Sequence, residues 1–128
     1  MENCPKVLPS YMRLDEPYRS LVRECVTLDF DLEQFLNAES LPAHLMSVGT
    51  LLNYEGEDPL IKDVDVLSLL SAIKLAELSG SLGAVTLEGS LYMTEAKFKK
   101  VELAMNAVEL LQQDSTAQEA YGHFLVAR

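Results

Sequence analysis

Residues 91–113 read LYMTEAKFKKVELAMNAVELLQQ, and no Gly or Pro interrupts them. Ala, Leu, Glu, Lys, Met and Gln dominate the stretch, and all are strong helix formers. Phe98, Val101, Ala104, Met105, Val108 and Leu111 recur at helical spacing. A second apolar line, Ala96, Leu103, Ala107 and Leu110, runs beside the first. One stripe needs one neighbour, whereas a double stripe needs two. The stretch therefore predicts a central helix packed from more than one side, inside an all-α fold.

The other helices follow from local signals on either side. Asp114, Ser115 and Thr116 restart the chain. Ser115 with Gln118, and Thr116 with Glu119, both fit a capping box. A last helix is expected over about 116–127, with Ala120, Phe124 and Leu125 facing inward. Upstream, Pro17 suits the first turn of a helix ending near Asp29, with Leu21, Val22, Cys25 and Leu28 inward. A short helix over about 31–39 buries Leu32, Phe35 and Leu36. Ser40, read as an N-cap, and Pro42 then open a helix to about residue 54, burying Leu45, Met46, Val48, Leu51 and Leu52. On that helix Gly49 either admits a close neighbour or costs stability. Asp63 and Asp65 are candidate caps for a helix to about Ser79, with Val66, Leu69, Leu70, Ile73 and Leu78 on its core face. Gly80 is read as the residue that closes it.

Two segments read differently. Residues 1–16, with Pro5 and Pro9, suggest an extended N-terminal arm anchored by Val7, Leu8, Tyr11, Met12 and Leu14. Residues 80–90, GSLGAVTLEGS, hold three glycines around an apolar run. They read as a loop tucked into the core, or as a small hairpin pairing 84–87 with 91–94. The expected architecture is a compact single-domain bundle of five to six helices over 17–128, preceded by the arm.

Residues 72–75, AIKL, align with 107–110, AVEL, and residues 98–128 resemble part of a tetratricopeptide unit, whose period is about 34 residues. The family's Trp, its Leu-Gly pair and the Pro of its turn are absent. A generic helical hairpin carries the same pattern, and no membership follows.

Composition narrows the function. The 128 residues carry 20 acidic and 10 basic side chains, for a formal net charge of −10. That opposes direct binding to nucleic acid or to an anionic membrane. The basic cluster Lys97, Lys99 and Lys100 is flanked by Glu95 and Glu102, and reads as a solvated helix face. The start MENCPKVLPS has neither the apolar run nor the basic flank of a signal peptide, and no stretch approaches the length of a membrane span. A reduced cytoplasmic protein is expected, with Cys4 and Cys25 as free thiols.

Catalytic and metal signatures fail on inspection. Asp29, Asp31 and Glu33 begin like a calcium loop, but Gln34 and Ser40 stand where Gly and Glu are needed. Asp63 and Asp65 read as helix caps. A Cys-His pair such as Cys25 with His44 has no local signature, and His123 lies on a different helix. No phosphate-loop or nucleophile-elbow motif occurs. No cofactor or metal site is therefore expected.

What remains is a surface. Acids crowd two segments, and Asp29, Asp31, Glu33, Glu55, Glu57 and Asp58 are the candidate partner-binding residues, suited to a partner protein with a basic surface. The leading expectation is a non-enzymatic protein that regulates, inhibits or adapts a partner, of the accessory, immunity or phage-encoded kind. A homodimer could use the apolar excess of 91–111 and 63–78. The alternatives are a small ligand-binding or enzymatic domain with a pocket near Cys25, His44 or His123, and a DNA mimic whose carboxylates replace phosphates.

Overall fold

The computed structural model describes residues 9–53, 64–86, 93–113 and 115–128, with the backbone alone for 81–86. These residues form seven α-helices and no strand: α1 (Pro9–Met12), α2 (Glu16–Thr27), α3 (Leu32–Leu36), α4 (Pro42–Leu52), α5 (Val66–Thr86), α6 (Glu95–Glu109) and α7 (Ala117–Ala127). A 3-10 turn, Leu110–Gln113, extends α6.

The all-α reading holds, and α6 packs against α3, α4 and α7. Val101, Ala104, Ala107, Val108 and Leu111 are its buried line. A second hub is α5, which meets α2, α3 and α4. The short α3 joins the two halves because it touches both α5 and α6. Its Phe35, fully buried, stacks on Phe124 at 4.5 Å between ring centroids and lies 5.5 Å from Phe30 and 5.7 Å from Tyr121. Rings at these separations add roughly 1 kcal/mol per pair beyond their burial.

Local chemistry sets the helix ends. The Thr116 hydroxyl accepts from the Glu119 amide while the Glu119 carboxylate accepts from the Thr116 amide, a complete capping box. The Thr94 hydroxyl accepts from the Lys97 amide at 3.3 Å and opens α6. Asp65 accepts from the Ser68 amide at 3.0 Å and from its hydroxyl at 2.5 Å, opening α5. Asp63 lies outside the described residues. Two hydrogen bonds join segments far apart in sequence: Asn53 Nδ2 donates to the Leu111 carbonyl at 3.1 Å, and the Tyr121 hydroxyl donates to the Ala38 carbonyl at 3.1 Å. Leu111 Cβ would lie 3.9 Å from a Cβ at Gly49, ordinary contact that leaves room for Ala.

Several local expectations are corrected. The arm is not wholly extended, because Pro9 starts the single turn α1, where Tyr11 is buried and donates from its hydroxyl to the Arg19 carbonyl at 3.3 Å. Gly80 does not end α5. The helix runs on to Thr86, and no described glycine has positive φ. Residues 84–86 are therefore helical, which removes the first strand of the hairpin; residues 87–92 lie outside the described residues. Ser40 is not a cap: Leu41 holds that position without a side-chain hydrogen bond, and the Ser40 hydroxyl is buried with no partner. Phe98 is 53% exposed and Met46 65% exposed, and Leu125 also faces out. Each sits at helical spacing from true core residues, but among the described residues no neighbouring helix covers that part of its turn.

The turn after α3 is unusual. The Glu39 amide donates to the Gln34 carbonyl and the Ala38 amide to the Phe35 carbonyl, both at 2.9 Å. This is a Schellman termination, which places Ala38 in the left-handed region at φ 60°. Glycine is the usual occupant of such a position.

Candidate functional site

The last turn of α2, the link 28–31, which bends at Asp29 where the Phe30 amide donates back to the Leu28 carbonyl at 2.8 Å, and α3 lie across the middle of α5. They leave a cleft of about 370 Å³ between them. Such a volume is small for a ligand pocket and matches one inserted side chain or a small molecule. The chain has to turn sharply from α2 into α3, and Asp31 makes the turn work by accepting from the Gln34 amide at 3.1 Å. Phe30 and Leu32 then point into the core. The alternation leaves Asp29, Asp31 and Glu33 exposed at the rim of the cleft.

The floor holds a lysine. Lys74 lies on α5 with its side chain only 4% exposed, and its Nζ donates to Glu77 Oε2 at 2.9 Å. Glu77, 45% exposed, also lines the cleft. Taking an ammonium out of water costs several kcal/mol unless a partner offsets it. Glu77 is that partner, one turn further along the same helix. Val26, Leu28 and Leu78 supply aliphatic walls. The cleft thus combines four carboxylates, one ammonium and an apolar lining.

Of the six residues singled out from sequence, the structure brings Asp29, Asp31 and Glu33 to this one cleft. Glu55, Glu57 and Asp58 lie outside the described residues. Sequence reasoning missed Lys74 and Glu77, although a signal existed. Leu70, Lys74 and Leu78 recur every fourth residue on one face of α5, and the flanking leucines are buried. A charge on that line had to be buried too, and Glu77 three residues on was its natural counter-ion.

Elsewhere the candidate catalytic groups do not converge. Cys25 is fully buried in the core. Burial foremost, and the Glu24 carboxylate second, raise its thiol above the ordinary range, while Lys74 and a backbone hydrogen bond pull the other way. A raised thiol is a poor nucleophile at neutral pH. His44 is half-buried on α4, and His123 is exposed on α7. Among the described residues no group of three or more His, Cys, Asp or Glu is placed to hold a metal ion. No described helix is long and apolar enough to cross a membrane.

A second hollow, of about 280 Å³, lies between α1 and α2 and is lined by Tyr11, Met12, Glu16, Arg19 and Arg23. Arg19 donates from Nη2 to Glu16, while its Nε is enclosed without an acceptor.

Comparison with known protein families, with characterised proteins and with solved structures gives no match. The reading of the site therefore rests on its chemistry.

Proposed function

We propose that the protein is a non-enzymatic binding protein that regulates, inhibits or adapts a partner, and that the cleft beside α3 receives a basic side chain of that partner. The observation that carries the reading is the gathering of Asp29, Asp31 and Glu33 around one apolar-walled cleft. Aliphatic walls suit the stem of an Arg or Lys, and rim carboxylates suit its charged head. Lys74 engages Glu77 across the floor, and the rim acids add negative charge around it. The −10 net charge speeds encounter with a basic surface.

Titration calorimetry with an arginine-bearing peptide and its uncharged citrulline analogue tests this. The arginine peptide binds and the citrulline peptide does not. Neutralising Asp29→Asn together with Glu33→Gln weakens binding roughly tenfold, at about 0.7 kcal/mol for each partly exposed pair. Equal binding of the two peptides, or indifference to both substitutions, contradicts the reading.

A further inference from the structure

Charge in the cleft beside α3 is layered by depth. Lys74 is the deep charge: its side chain is 4% exposed, and it stands on α5 between Leu70 and Leu78, both buried. The acids lie nearer to water, with Asp29 and Asp31 exposed on the link and Glu77 half-exposed. The cleft is therefore cationic at its floor and anionic at its rim, and Val26, Leu28 and Leu78 give it aliphatic walls. An ammonium carries three donors, and the Glu77 carboxylate accepts one of them at 2.9 Å. A second carboxylate can share the same ammonium. A charge contact counts for more at the low-dielectric floor than at the wetted rim.

This layering decides how a basic residue enters. Inserted head first, its cation would meet the Lys74 ammonium, and like charges repel most strongly where water is excluded. The cationic head therefore stops at the rim, beside Asp29 and Asp31, and the group that goes deeper is the one that suits an ammonium. A residue in mid-chain has only neutral amides to offer there, and it needs room for the chain on both sides. The last residue of a chain offers its α-carboxylate and needs no exit. We infer that the cleft takes the C-terminal residue of its partner, an arginine or lysine, with the α-carboxylate on Lys74 Nζ and the side-chain cation at Asp29 and Asp31. This inference rests on the reading of the cleft as a site for a basic side chain, and adds which residue of the partner supplies it. The volume of about 370 Å³ suits one such residue rather than a longer segment. A second carboxylate at Lys74 also offsets more of the cost of holding an ammonium out of water.

Titration calorimetry on the full chain compares three acetylated peptides of otherwise identical sequence. One ends in arginine with a free carboxylate, one is its C-terminal amide, and one ends in citrulline with a free carboxylate. The first binds about tenfold or more tightly than either of the others, because the amide lacks the charge-assisted contact to Lys74 and citrulline lacks the one to the rim. Lys74→Met brings the free acid down to the affinity of the amide and leaves the amide where it was. Its far-ultraviolet circular dichroism shows whether it folds, and the acid-to-amide ratio of the native chain needs no variant. Equal affinity for acid and amide, or a preference for the acid that survives Lys74→Met, overturns the inference. If acid and amide bind alike while arginine still outbinds citrulline, only the terminal carboxylate is lost and the basic-side-chain reading stands. If arginine and citrulline bind alike, that reading fails and takes this inference with it.

Discussion

Gly80→Ala has opposite signs under the two accounts of where α5 ends. In the structure Gly80 is an exposed interior residue of α5, with six further helical residues after it. A Cβ built there meets nothing within 4 Å, so neither clash nor new packing contributes. Only backbone entropy and helix propensity change, and Ala is favoured over Gly by about 0.5–1 kcal/mol. For a chain of this size that raises Tm by about 2–4 °C. If Gly80 instead closed the helix in the left-handed region, as its sequence context suggests, Ala would cost about 1–2 kcal/mol and lower Tm by about 4 °C or more. Thermal and urea unfolding followed by far-ultraviolet circular dichroism separates the two. A destabilised Gly80→Ala variant with an unchanged urea m-value would refute the continuous α5.

Other substitutions probe single features. Ala38→Gly relieves a left-handed alanine worth about 1–2 kcal/mol but adds unfolded-state freedom, for a net gain of about 0.5–1 kcal/mol in urea unfolding; a loss would contradict the Schellman turn. The Lys74–Glu77 pair predicts an asymmetry under calorimetric unfolding. Glu77→Ala strands a buried ammonium and costs about 2 kcal/mol, whereas Lys74→Met leaves a half-exposed carboxylate and is near neutral; equal effects would mean that Lys74 reaches water. Asp65 and Glu119 both have lowered pKa values. Ser68, through its hydroxyl and then its amide, lowers the first, and Thr116, through its amide and then its hydroxyl, lowers the second. Their stabilisation is present above the ordinary values of 3.8 and 4.5 and is lost as pH falls through those values and below. Unfolding free energy that rose on acidification over that window, or a slope unchanged in Glu119→Gln, would contradict the caps.

Much of this fold is legible in residue order, because helix ends are written locally. Thr116 and Glu119 announce their capping box three residues apart. Val101, Ala104, Val108 and Leu111 announce a core stripe. Phe98 and Met46 obey the same period and yet face solvent, because periodicity states which face a residue shares and not how far a neighbour extends over it. Gly80 reads as a helix end and is not one for a related reason. A glycine ends a helix only where the following residues leave it, and Leu82, Ala84 and their neighbours carry the helix on at a cost of about 1 kcal/mol per glycine. The rim acids of the cleft were visible as a charge cluster. Their convergence on α5 was not, since it depends on how the link 28–31 crosses that helix.

Amide chemical-shift mapping by NMR tests the central claim most directly, that the cleft beside α3 is where a basic group binds. Titrating the arginine peptide into isotopically labelled protein should move the amides of 28–33 and 74–78 together, with one saturation curve, and the citrulline peptide should leave them in place. Shifts scattered over α6 and α7, or no shift in these two segments at saturation, would contradict it.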